Sequence, residues 1–261
     1  MKRTILTGAQ QRVLEDLIAT YGMVVTTQEV LERLHFETSA SKYRFVSHLA
    51  AAGWLVRIKQ GLYQIADVGT LGTLTLSRFA VAHLLLPESY VSFLAALQFH
   101  GFFDQSLSTV SSVALHQKQA VTLEGVTYLY VKTTRAHYTG FSTQRLDGQL
   151  VQIADGEKAI VDLLLFRRTD HTVDLVLEIL RDNRHRLDLQ RLESYALSTP
   201  VAVQRSLGFL LEGVGADPGK LRSSVAGSSS VSYLTPDGHR YSAAWRLYYG
   251  DYAAQELAYS Q

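Results

Sequence analysis

The stretch from Thr38 to Ile65 constrains the fold of this chain most strongly. It reads TSASKYRFVSHLAAAGWLVRIKQGLYQI, which predicts one helix followed by two short strands around a turn at 59–61. Thr38 or Ser39 can cap the helix, because a side-chain oxygen at that position accepts a hydrogen bond from the first turn. Gly53 stands where a left-handed residue would end the helix. The stretch therefore predicts a helix that leads into a β-hairpin.

The charges of this stretch have one sign. Between Thr38 and Gln64 there is no Asp or Glu, whereas there are four cations, Lys42, Arg44, Arg57 and Lys59. A helical wheel places Ser41, Arg44 and His48 on a polar side, and Tyr43, Val46, Ala50 and Gly53 on the other side. Surface helices usually mix charge signs, so a partner that carries phosphates would explain the absence of acids.

The residues before this stretch fit the same interpretation. Residues 9–21 have the apolar spacing of an amphipathic helix, and Gly22 ends it. Thr26 and Glu29 can form a capping box for a second helix, which a turn at residues 35–37 joins to the third. This order of elements is typical of a winged helix-turn-helix domain, which places its second motif helix in the major groove of DNA. A three-helix module for protein contacts is the alternative.

We therefore predict a DNA-contacting surface on the third helix and on the hairpin. Its candidate residues are Ser39, Ser41, Lys42, Arg44, His48, Arg57 and Lys59. A helix residue that faces the groove can reach base edges, whereas a cation of the hairpin more often meets phosphate.

Length and composition limit the other possibilities. With 261 residues, of which 47% are hydrophobic, the chain can bury two cores, and its net charge of +1 means that attraction to DNA must come from a local patch. The absence of cysteine excludes disulfides, thiolate nucleophiles and cysteine-based zinc sites. Because no apolar run reaches the ~18–20 residues of a membrane span, we expect a cytoplasmic protein that does not enter the membrane.

We expect an α+β chain with two domains, a winged helix-turn-helix at residues 1–70 and a second domain at 71–261. The boundary lies near residue 70 because the sequence IADVGTLGT has no periodic pattern. The second domain is predicted to be a mixed α/β domain with a small antiparallel sheet and a helical last third. Its predicted helices are 74–86, 90–100, 155–166, 173–180, 189–197 and 201–211, and its predicted strands are 109–115, 120–123, 126–133, 143–146, 149–153 and 241–249.

One acidic cluster raises the possibility of catalysis. Asp155, Glu157, Lys158 and Asp162 could resemble the site of a metal-dependent nuclease, in which carboxylates hold Mg²⁺ and a lysine orients water. Glu157 and Lys158 are adjacent, however, so on a helix their side chains diverge by about 100°. The alternative is structural: Asp155 caps the helix and Lys158 pairs with Asp162. We expect the structural reading, and hence no catalytic residue, no metal and no cofactor.

Several segments together resemble the AbiEi family of antitoxins, which are transcriptional regulators of type IV toxin–antitoxin systems. The first segment is SKYRFVSHLAAAGWLVRIKQGLYQI, similar to the family's recognition helix and wing. The others are YVSFLAALQFHG at 90–101, VQIADGEKAIVD at 151–162, LGFLLE at 207–212 and AWRL at 244–247. Asp155-Gly156 stands where the family commonly has Ser-Pro, and Tyr248-Tyr249-Gly250 leads into a polar tail where the family often ends.

The resemblance implies a function for each domain. The N-terminal domain would repress its own operon by binding double-stranded DNA at inverted repeats, and the C-terminal domain would counteract a toxin of the nucleotidyltransferase class in phage defence. Apart from the resemblance, we expect no enzymatic activity, and a monomer in solution is one of the oligomeric states that the sequence leaves open. Two other functions stay open: a nuclease that uses the acidic cluster, and a transcription factor that senses a ligand near Tyr128, Tyr130 and Phe141.

Overall fold

The computed structural model describes residues 5–36, 38–251 and 253. Glu37 of the predicted turn and the polar tail from residue 254 lie outside the described residues. The chain divides into two compact units. The first comprises the residues up to Pro87 together with 123–125 and 145–150, and the second comprises 88–122, 126–144 and the residues from Val151 on. The predicted boundary between residues 70 and 71 falls inside the first unit.

The first unit begins with three helices and a small sheet. Its elements are α1 (Gly8–Tyr21), β1 (Val24–Thr26), α2 (Thr27–Glu32), α3 (Ser39–Ala51), β2 (Leu55–Lys59), β3 (Leu62–Ile65) and α4 (Arg78–Leu85). Strands β1, β3 and β2 form an antiparallel sheet in that order. The core between the sheet and the helices is apolar, and Leu17, Leu49 and Ile65 are fully buried in it.

Local sequence signals set the ends of these elements. Thr26 and Glu29 form the predicted capping box at the start of α2, which satisfies backbone donors that have no partner inside the helix. The Thr38 side chain caps α3 by accepting from the backbone N–H of Ser41. Gly53, with a φ of +86°, adopts the left-handed conformation that favours glycine and directs the chain into β2. These three predictions are confirmed.

The segment that follows β3 is held by specific hydrogen bonds. The Asp67 carboxylate accepts from the backbone N–H of Gly69 at 2.8 Å and of Thr70 at 2.9 Å. The backbone N–H of Gly72 donates to the Gly53 carbonyl at 2.9 Å, and the side-chain oxygen of Gln64 accepts from the N–H of Thr75 at 2.9 Å. The helix predicted to begin at residue 74 begins only at Arg78, because residues 74–77 make these and similar bonds instead.

The second unit is built on a larger mixed sheet. Its elements up to α6 are β4 (Ser89–Val91), α5 (Phe93–Phe99), β5 (Thr109–Ala114), β6 (Val121–Leu123), β7 (Val126–Lys132), β8 (Phe141–Leu146), β9 (Gln149–Ala154) and α6 (Gly156–Phe166). The strand order is β6-β7-β5-β4-β9-β8. Strand β4 pairs antiparallel with β5 and parallel with β9, so it lies between two strands that are distant in sequence.

The remaining elements are mostly helical, as predicted. They are α7 (Asp170–Asn183), α8 (Leu189–Leu197), α9 (Val201–Gly213) and α10 (Gly219–Val225), followed by β10 (Ser232–Tyr233), β11 (Arg240–Ser242) and β12 (Leu247–Tyr249). Strand β12 pairs with β10 in parallel and with β11 in antiparallel fashion. Among the described residues no helix is long and apolar enough to cross a membrane.

Two further predicted elements differ in the structure. The helix predicted from Tyr90 begins only at Phe93, since residues 89–91 pair with β5 and β9 instead. The strand predicted at 241–249 is two strands, and Arg246, with a φ of +47°, stands in the turn that separates them. At Tyr90, pairing with distant residues overrides the local pattern, whereas at Arg246 a turn interrupts the predicted strand and its two halves pair with each other.

Candidate nucleic-acid interface

The outer face of α3 is the first candidate site. The buried side of the helix consists of Val46 and Leu49, with Phe45 half-buried beside them. The opposite side is exposed to solvent and carries Ala40, Tyr43, Arg44, Ser47 and His48. The exposed face therefore mixes small, aromatic and cationic side chains, and it contains no acidic residue.

Tyr43 lies on this exposed face and not on the core side where the helical wheel placed it. Its side chain is 55% exposed. The side of α3 that faces the core is instead defined by Lys42, Phe45, Val46 and Leu49, which have the i, i+3, i+4, i+7 spacing of a buried stripe. Sequence reasoning could have found this stripe, but the lysine at its first position concealed it.

Four of the predicted contact residues are engaged within the chain. The ammonium of Lys42 donates to the Leu31 carbonyl at 3.0 Å, and that of Lys59 donates to the Leu85 carbonyl at 3.4 Å. His48 Nδ1 lies 3.3 Å from the side-chain nitrogen of Gln10, and Ser41 Oγ lies 2.9 Å from Thr38 Oγ1. These side chains are thus positioned by α1, α2, α4 and the helix cap.

Two of the predicted cations are unengaged. Arg44 on α3 and Arg57 on β2 are exposed, and neither makes a hydrogen bond or ion pair with another described residue. Ser39, the first residue of α3, is exposed as well. A guanidinium that projects from a helix can form a bidentate contact with a guanine edge, and one on a hairpin can meet phosphate. Chemically, the face can bind a polyanion.

The acidic cluster of the second unit is the second candidate site, and its side chains have separate partners. The Asp155 carboxylate accepts from the Tyr195 hydroxyl at 2.7 Å, and the Glu157 carboxylate accepts from the backbone N–H of Asp188 at 2.8 Å. Asp155 occupies the cap position of α6, but its side chain makes no capping bond, so that part of the prediction is wrong.

Lys158 and Asp162 form the predicted pair, one helical turn apart in α6. Both are buried, with 3% and 0% of their surface exposed. The second Asp162 oxygen accepts from Ser92 at 2.7 Å and from Tyr90 at 3.1 Å. Burial raises the pKa of the Asp162 carboxyl, while Lys158 and the two hydroxyl donors oppose that increase. The pair is an internal feature of α6 in which both oxygens of Asp162 accept hydrogen bonds.

No metal site follows from this geometry. Within the described part of the chain, no three His, Asp or Glu side chains are grouped so that they could hold a metal ion. Asp155, Glu157 and Asp162 each bind a different protein group, so their oxygens do not converge.

The aromatic residues of the sheet form the third candidate site. Tyr128 and Tyr130 are buried, at 2% and 7% exposure. Phe141 stacks on Tyr90, with 4.7 Å between the ring centroids, and Tyr138 packs against both rings. Tyr90, at the centre of this second group of rings, is the one that donates to Asp162.

Comparisons with known proteins include a match to the part of the chain that contains the first candidate site. Residues 12–66 match the family model described as a transcriptional regulator, AbiEi antitoxin, which confirms the resemblance over those residues. The crystal structure of the RV2827C protein from Mycobacterium tuberculosis is similar in fold, with a TM-score of 0.70, 15% sequence identity, and coverage of 98% of this chain and 95% of that chain. No curated protein matches the sequence.

Proposed function

We propose that the chain is a DNA-binding transcriptional repressor that acts as the antitoxin of a type IV toxin–antitoxin system. In this proposal α1, α2, α3 and the β2–β3 hairpin form a winged helix-turn-helix, with α3 in the major groove and the hairpin as the wing. The observation that carries the proposal is the acid-free face of α3 with its unengaged Arg44, within residues that match a regulator family. The element order supports it further.

The proposal extends to partners. The DNA would be the operator of the chain's own operon, read at inverted repeats, and the protein would bind it as a cytoplasmic monomer. The second unit would counteract a nucleotidyltransferase-type toxin without catalysis of its own. The internal bonds of Asp155, Glu157 and Asp162 favour this reading over a nuclease, because they leave no convergent carboxylates for a metal.

Arg44→Ala should reduce affinity for the operator by about 1–3 kcal/mol and affinity for random DNA much less, because a bidentate contact to a base edge discriminates between sequences. Fluorescence anisotropy with labelled DNA from upstream of the gene, beside a scrambled duplex, measures both. Lys132→Ala is the matched control, since Lys132 is an exposed cation of the second unit. Equal affinity of the Arg44 variant and the wild type on a confirmed operator would contradict the proposed reading surface.

Arg57→Ala should weaken operator and random DNA alike. A wing cation that meets phosphate releases one counterion, so the slope of log affinity against log salt should fall by roughly 0.9. Titrations at several salt concentrations measure that slope. Lys59→Ala is the comparison, because the Lys59 ammonium already donates to the Leu85 carbonyl and should contribute less. An unchanged slope for Arg57→Ala would place the wing away from the DNA.

A separate experiment tests the proposed antitoxin function. The full chain is expressed together with the product of the neighbouring gene, and growth is followed. Relief of growth arrest by the full chain supports the proposal. Arrest that persists although the chain is present and folded contradicts it, whatever the DNA titrations give.

A further inference from the structure

We infer that Tyr43 is a specificity-determining residue, whose ring contacts the C5-methyl group of a thymine in the major groove. This inference rests on the proposed function, since it assigns a base to the same face of α3. It starts from the 55% exposed ring of Tyr43 in the middle of the acid-free helix. Isolated exposed apolar side chains are common on protein surfaces, so exposure alone carries nothing.

The neighbours of Tyr43 leave its ring uncovered. Ser39, Ala40 and Ser47, at i−4, i−3 and i+4, are the exposed residues that adjoin it on the helix, and all three are small. Tyr43 itself makes no hydrogen bond or ring contact with another described residue. By contrast, Phe45 on the core side packs against Phe36, with 5.6 Å between ring centroids. The tyrosine ring is therefore an uncovered apolar group of this face, next to the unengaged Arg44.

The other side chains of the face supply little discrimination between bases. His48 Nδ1 lies 3.3 Å from the side-chain nitrogen of Gln10, and Ser41 is bonded to the cap residue Thr38. Ala40 and Ser47 are too short to reach far from the helix. Arg44, adjacent to Tyr43, matches the two acceptors of guanine, but one arginine specifies one base pair. Tyr43 is the neighbouring side chain that can specify another.

Thymine is the base that fits an aromatic ring. In the major groove it presents a C5-methyl group, an apolar feature that cytosine, adenine and guanine lack. Packing this methyl group against the ring removes apolar surface of both from water. A buried methyl-sized group is worth about 0.8 kcal/mol, which corresponds to about fourfold in affinity. We therefore expect a modest change in affinity when the methyl group of one particular thymine is removed.

The experiment uses the full chain and DNA selected from a random duplex pool, so that it does not depend on the proposed operon. In the selected site, each thymine is replaced in turn by deoxyuridine, which removes only the methyl group. The wild type should lose about fourfold in affinity at one position. Tyr43→Ala should bind the thymine and deoxyuridine duplexes equally, whereas Tyr43→Phe should keep the difference.

The controls separate failure of the inference from failure of the function. Tyr233→Ala removes a tyrosine of similar exposure, 51%, from the second unit and should behave as the wild type. If the wild type selects no DNA, the proposed function and the inference both fail. If it selects a site but Tyr43→Ala keeps the same methyl dependence, the function stands and the role of Tyr43 is overturned. A melting curve of Tyr43→Ala like that of the wild type confirms that the variant is folded.

Discussion

Asp162→Ala should lower the free energy of unfolding of the second unit by about 3–5 kcal/mol, because it leaves a buried charge without its partner. The Lys158 side chain, 3% exposed, would keep its ammonium in the interior with no carboxylate to accept from it. The hydroxyls of Ser92 and Tyr90 would lose the same acceptor. This substitution removes the centre of a network that joins β4 to α6.

The measurement is urea unfolding followed by Trp245 fluorescence in a Trp54→Phe background. The chain contains two tryptophans, and Trp245 is the one in the second unit, so its signal follows that unit. Lys158→Met combined with Asp162→Leu should cost less than Asp162→Ala, because it removes both charges. Glu88→Ala is the surface control, since its ion pair with His116 is exposed and is worth about 0–1 kcal/mol. A double variant less stable than the single one would refute this account.

Trp245→Ala should lower the free energy of unfolding by about 3–5 kcal/mol, the usual range for truncation of a large buried ring. The indole is 1% exposed, and it packs so closely on α9 that a Cβ on Gly208 would lie 2.2 Å from the ring. Its N–H donates to Glu212, which also forms an ion pair with Arg222 at 2.8 Å. Far-UV circular dichroism during urea unfolding measures the loss.

Tyr241→Ala is the control for this truncation, since Tyr241 is 46% exposed and lies in the neighbouring strand β11. It should cost well under half as much. If the two variants unfolded at the same urea concentration, the ring of Trp245 would not be the packing centre that the contact with Gly208 indicates.

Much of the first unit could be predicted because its signals are local. The capping box of Thr26 and Glu29 spans three positions, and a glycine after a helix needs only its own backbone to adopt a positive φ. Asp147-Gly148 likewise marks the turn between β8 and β9. The contacts that stabilise each of these features lie within a few residues of one another, so the local sequence is enough to predict it.

The features that were missed depend on distant residues. The sequence around Tyr90 has the apolar spacing of a helix. Its backbone nevertheless pairs with that of Val113, so Tyr90 lies in a strand. The faces of α3 were misassigned at Tyr43 because Lys42 turns inward to the Leu31 carbonyl, a bond that no helical wheel contains. Within the candidate interface, the sequence proposed Arg44 and Arg57 together with Lys42 and Lys59, but it could not tell which of these cations the fold itself engages.

The hydrogen bonds of Gln64 set the minimum length of an N-terminal fragment that can fold on its own. This residue is 1% exposed, and its amide is satisfied by groups of Thr75 and Leu76. A chain that ended at residue 70 would leave the buried amide of Gln64 without these hydrogen-bond partners. A fragment that folds on its own therefore has to extend past Leu76. A Cβ on Gly53 would lie 2.9 Å from the backbone nitrogen of Gly72. Gly53 and Gly72 thus permit two backbone segments to touch, and the segment that looks like a linker in the sequence is an integral part of the first unit.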